Sequence, residues 1–97
     1  MIDDLLLIPT PGDVERTLAR RLRDARRARG WTQAELAARS AVSTATVARL
    51  ERTGQGQIGS LVRICAALQR LSDFDALLKP DPPTTLDDLR ARRGGGP

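Results

Sequence analysis

The chain has 97 residues, enough for one domain with a modest core and no need of covalent staples. It carries 16 Lys+Arg against 12 Asp+Glu, net +4, with no histidine, no tyrosine and one cysteine. That inventory excludes an internal disulfide, leaves Cys65 without the second thiol or histidine of a zinc site, and removes most nucleophile and general-base arrangements, so an enzyme is not expected and neither a metal nor a cofactor is called for.

The positive charge is not spread evenly. Between Asp13 and Arg70 there are twelve arginines and five acids, a local balance of +7, while residues 1–12 carry −2 and residues 71–97 carry −1. Fifteen of the sixteen bases are arginine, the side chain suited to bidentate contact with phosphate and guanine.

In chain order, residues 1–12 (MIDDLLLIPTPG) read as an N-terminal arm, since Pro9 and Pro11 stop regular structure and Gly12 comes next. Its apolar residues pack either on its own core or on a second subunit. Leu5-Leu6-Leu7-Ile8 is too short to cross a membrane and comes after aspartates where a signal peptide needs bases, so the expectation is a cytoplasmic, nucleoid-associated protein.

A first helix is expected from Asp13 as N-cap to Arg29, stopped by Gly30, with Val14, Leu18, Leu22 and Ala25 as its apolar stripe. Trp31 then plugs the core.

Residues 32–53 (TQAELAARSAVSTATVARLERT) hold two helix starts about eleven residues apart. Thr32 with Glu35 three residues on is a capping box opening a helix over 33–39. Ser43 caps a second helix over 44–52. Ser40-Ala41-Val42 forms the corner, with Val42 turned inward. Two helices joined so tightly make a helix-turn-helix, and Thr44, Ala45, Thr46 and Arg49 are left on the outer face of the second, able to enter a DNA major groove. Gly54-Gln55-Gly56-Gln57 reads as a flexible loop. A fourth helix over 59–69 buries Leu61, Ile64, Cys65 and Leu68. A short fifth starts at Ser72 with Phe74, Leu77 and Leu78 apolar. Beyond the Lys79–Pro83 break, Leu86–Arg92 is one more turn before a disordered Gly-rich end. The boundaries are thus an arm (1–12), a helix-turn-helix domain (13–79) and a proline-containing, partly disordered tail (80–97).

Residues 20–69 resemble the lambda-repressor-like helix-turn-helix domains of the XRE group. The likeness rests on the arginine-rich end of helix 1, Thr32-Gln33, Leu36-Ala37, Val42-Ser43, Val47, Leu50-Glu51 and the Leu61/Ile64/Leu68 stripe. It implies an all-α, five-helix bundle that binds operator DNA as a homodimer. It also implies that Gln33 contacts a phosphate and touches the recognition helix, and that Arg26 bridges to Glu51 to orient that helix. The family's corner glycine is here Ala41, at a cost of about 1 kcal/mol if the backbone is unchanged. The segment Asp73-Phe74-Asp75-Ala76-Leu77-Leu78 and the prolines after it look like the C-terminal end of small regulators that partner HipA-type kinase toxins, which implies an antitoxin with a kinase-like toxin as partner.

Within that frame Arg49 is the residue assigned to a base edge, since a guanidinium can bond guanine O6 and N7 together, and Ala45 to a thymine methyl. Thr44 lies in the first turn that meets the bases. Thr46 either reaches a phosphate or is solvated. Thr32 and Ser43 are caps first, with Ser43 a further phosphate contact. Gln33 sits where backbone N–H groups favour a phosphate. Arg52 and the backbone of the Gly54–Gly56 loop are phosphate partners, as to a lesser degree are Arg23 and Arg27. The expected function is a DNA-binding transcriptional regulator, an autorepressor on a two-fold operator. The alternative is a protein-interaction module with vestigial DNA binding.

Overall fold

A computed structural model describes residues 9–82. Among them are four α-helices, α1 (Pro11–Ala28), α2 (Gln33–Ser40), α3 (Thr44–Thr53) and α4 (Ile58–Ala67), then a single 3-10 turn at Leu71–Phe74, and no strand. Residues 1–8 of the expected arm, and Leu86–Arg92 with the Gly-rich end of the tail, lie outside the described residues.

α1 begins earlier than its sequence suggests. Thr10, not Asp13, is its N-cap: the Thr10 hydroxyl accepts from the Asp13 N–H at 3.1 Å, and the Asp13 carboxylate accepts from the Thr10 N–H at 3.0 Å. Pro11 does not stop structure here. At the first helical position its missing N–H is one that would have had no partner anyway, and its fixed φ suits the helix. The bond from the Thr10 backbone, then that from its hydroxyl, holds the Asp13 carboxyl below the ordinary aspartate range. The buried side of α1 is also rotated from the expected stripe. Thr17, Ala19, Leu22 and Arg26 are buried, whereas Leu18 is 42% exposed.

α2 and α3 carry the caps their sequences announce. Thr32 and Glu35 exchange bonds at 3.1 and 3.2 Å, and the Ser43 hydroxyl accepts from the Thr46 N–H at 3.0 Å. Between the helices Ala41 takes φ 57°, ψ 38°. This is the left-handed conformation that turns α3 away from α2, adopted with a Cβ present.

Leu22, Leu36, Ala37, Val47, Leu50, Ile64 and Leu68 form the core, with Ala25, Trp31, Val42 and Ala67 packed on it. α1 packs on α3, and α2 on α3 and α4. Leu36, Val47 and Ile64 are fully enclosed, each contributing about 1.5–3 kcal/mol by its removal from water. Cys65 and Leu61, expected in this core, are only half-buried.

The 54–57 loop runs close against the helices. Gly54 ends α3 at φ 71°, and a Cβ there would overlap the backbone carbonyl of Glu15 on α1. A Cβ at Gly56 would fall 2.8 Å from Leu50 Cδ2. The loop therefore lies on α1 and α3 through its two glycines.

The expected fifth helix is reduced to the 3-10 turn, beginning at Leu71 instead of Ser72. A short apolar stretch before Pro80 cannot recover the cost of helix nucleation without a buried face. It has none, since Leu77 is 65% and Leu78 94% exposed.

Candidate nucleic-acid interface

α3 divides cleanly into an inner and an outer side. Val47, Leu50 and Glu51 are buried; Thr44, Ala45, Arg49 and Arg52 are exposed, and Thr46 is half-buried. Thr46 is turned toward the cap, its hydroxyl 2.8 Å from the Ser43 hydroxyl. Among the described residues the Arg49 and Arg52 guanidiniums make no hydrogen bond, ion pair or ring contact, so both charges face water. Only the Arg49 backbone is engaged, its carbonyl accepting from the Thr53 hydroxyl at 2.8 Å.

What holds α3 at this angle is a buried polar cluster. Arg26, near the end of α1, donates from Nε to Glu51 Oε2 at 2.7 Å and from Nη2 to Oε1 at 2.9 Å. Its Nη1 donates to the Trp31 carbonyl at 2.7 Å. Gln33 Nε2 donates to Glu51 Oε1 at 3.2 Å, which joins the start of α2 to the same carboxylate. The side chains of the ion pair are 10% and 3% exposed. The bond to Glu51 pushes the Arg26 guanidinium further up, against the opposing effect of burial. Charge-assisted, two-pronged bonds of this kind fix angle as well as distance. Arg26 and Gln33 thus act on α3 through Glu51, and the outer face carries the unpaired arginines.

A second cluster ties the far ends of the helices. Arg29 Nη2 donates to the Leu68 carbonyl at the end of α4, at 2.6 Å. The Trp31 ring has the Arg39 guanidinium 4.3 Å from its centroid and that of Arg29 at 5.3 Å. Trp31 is half-buried, part core and part platform for two cations.

A surface depression of about 250 Å³ lies beside α3, lined by Thr46, Arg49, Gln55, Gly56, Gln57 and Ser60. It brings Thr46 and Arg49 together with the loop. Thr32 and Gln33 sit at the start of α2, and Thr44, Ala45 and Arg52 on the open side of α3, outside it. Sequence reasoning passes over Gln57 and Ser60. The signal that could find Gln57 is the Gly-Gln-Gly-Gln alternation, in which each glycine lies against the body and each glutamine is exposed.

Cys65 is half-buried, and burial, with Asp73 second, pushes its thiol up, so it is held as a neutral thiol. No cluster of His, Cys, Asp or Glu that could hold a metal occurs among the described residues, and no described helix is long and apolar enough to cross a membrane.

No curated protein and no solved structure matches the chain. The profile of a helix-turn-helix domain matches residues 17–77, from the first half of α1 through the 3-10 turn. With well over half of the sequence inside that match, and with two capped helices set at a left-handed corner and an unpaired arginine on the outer side of the second, the chain belongs to the helix-turn-helix domain family, a DNA-binding motif.

Proposed function

We propose that this chain is a sequence-specific, DNA-binding regulator of transcription of the lambda-repressor-like XRE type, an autorepressor that binds a two-fold operator as a homodimer. One observation carries the reading. α3 is fastened from behind by Arg26, Glu51 and Gln33, while Arg49 and Arg52 on its open side have no protein partner among the described residues. Arg49 reads guanine, Ala45 and Thr44 meet neighbouring base edges, and Gln33, Ser43 and Arg52 meet phosphates. The local balance of +7 across residues 13–70 supplies the attraction to a polyanion. One copy offers few contacts, so useful affinity requires two copies on half-sites about 34 Å apart, or a multiple of that.

The exposed Leu77 and Leu78, in the segment that looks like that of toxin-neutralising regulators, favour a protein contact as well. We assign that contact to a kinase-like toxin or to the second subunit. The same leucines are what favours the second reading, an interaction module with vestigial DNA binding.

The test is a footprint on the DNA upstream of the protein's own gene, with wild type and Arg49→Ala. The regulator reading expects a protected two-fold site that Arg49→Ala abolishes at unchanged helicity. Weak protection that ignores sequence, equal in both proteins, supports the module instead.

A further inference from the structure

We infer that Gln55 and Gln57 form a second base-reading element beside α3, directed at adenine; the inference rests on the DNA-binding reading above and extends its reading surface beyond the recognition helix. Three observations converge on it. The first is the depression itself, whose lining residues are polar apart from Gly56 and come from α3, the loop and the first turn of α4. Arg49, the guanine reader, is one wall and the two glutamines are others. A base edge met by Arg49 therefore has neighbours within reach of the loop.

The second is rigidity. A side chain carried on an ordered backbone loses less entropy on binding than one carried on a free loop. Gly54 takes a left-handed backbone so close to Glu15 that no Cβ fits, and Gly56 runs close beside the Leu50 side chain. The loop is fastened between them, too, because the Gln55 N–H donates to the Thr53 hydroxyl at 3.0 Å, and that hydroxyl donates to the Arg49 carbonyl. Each glutamine is thus presented from an anchored backbone.

The third is that the two side chains are unspent. Gln57 occupies the N-cap of α4 but makes no side-chain cap bond there. Among the described residues neither glutamine amide has a hydrogen-bond partner, and both residues are exposed. A primary amide offers one acceptor and one donor side by side, which matches adenine N6 and N7 and no other major-groove edge as well. Being uncharged, the pair adds discrimination without adding counterion release.

The experiment is binding of the full chain to a library of operators randomised around the wild-type site, read by sequencing, for wild type and Gln55→Ala/Gln57→Ala. The inference expects wild type to prefer adenine at one or two positions adjacent to the guanine lost in Arg49→Ala. In the double variant that preference falls by about 5- to 150-fold at those positions only. The slope of log affinity against log salt stays the same. Gln57→Glu serves as the positive control, because a carboxylate accepts from cytosine N4 and moves the preference from adenine to cytosine. An unchanged base preference in the double variant overturns the inference, and so does a uniform loss over all sequences, which marks the glutamines as backbone contacts. Either result leaves the regulator reading standing. That reading falls separately, if wild type itself shows no sequence preference.

Discussion

Glu51 Oε1 accepts from two side chains at once, Gln33 Nε2 at 3.2 Å and Arg26 Nη2 at 2.9 Å, so one carboxylate on α3 fixes both α1 and the start of α2. Removing it leaves the Arg26 guanidinium buried without its counter-charge, since the Trp31 carbonyl is its remaining partner. Glu51→Ala should cost about 3–5 kcal/mol in urea or thermal unfolding. It should also weaken DNA binding beyond what the loss of folded protein accounts for, because α3 loses its fixed angle. The control is Arg26→Met/Glu51→Leu. It should regain most of the stability while operator binding stays impaired. Unchanged stability and unchanged binding in Glu51→Ala would sink the positioning role.

Ala41 holds φ 57° at the corner of the motif with a Cβ that crowds the next carbonyl. Ala41→Gly relieves that strain, partly offset by the greater freedom of glycine in the unfolded chain. The expected gain is about 1 kcal/mol, seen as a higher urea midpoint at unchanged slope.

Thr17 is 2% exposed, and its hydroxyl has no hydrogen-bond partner among the described residues. Thr17→Val keeps the shape and removes a buried polar group that folding takes from water without return. Stabilisation by about 1 kcal/mol is expected, read by the same denaturation curves. A loss instead would show that the hydroxyl is satisfied in solution.

The capping box at Thr10 sets a pH dependence. The Asp13 carboxyl is held below its ordinary range in the folded chain, so its contribution is present above the unfolded value and is lost as pH falls through the folded one. The difference in urea midpoint between wild type and Asp13→Asn should therefore be largest near neutrality and should close as pH drops below the ordinary carboxylate range. A difference that holds constant down to about pH 2 would contradict this.

What is legible in the sequence is what is local. Thr32, Glu35 and Ser43 announce their helices because a cap and its partner are three residues apart, and the helical spacing of Leu36, Val47, Leu50, Ile64 and Leu68 places them inside. Thr10-Pro11-Gly12-Asp13 obeys the same rule yet reads as a break, because prolines and a glycine stand together there, although proline at the first helical position is favoured. Leu18 misleads in another way. Its spacing fits a stripe with Leu22, but which side of α1 is covered depends on where α3 lies, and that is set by contacts such as Gly54 on Glu15, 39 positions apart and invisible to periodicity. The stacking of Arg39 and Arg29 on Trp31 is equally silent in composition. Gly54 and Gly56 read as looseness in one dimension and prove to be two points of attachment in three.

The bond from Arg29 to the Leu68 carbonyl also dates the moment at which a nascent chain can close. Until Leu68 has left the ribosome, Arg29 lacks the carbonyl it binds, although Arg26 a turn earlier already has Glu51 to hold. Once Leu68 has emerged, every buried residue among those described has been synthesised. Among the described residues none beyond Leu68 is buried, so substitutions over 71–82 should cost the folded chain little.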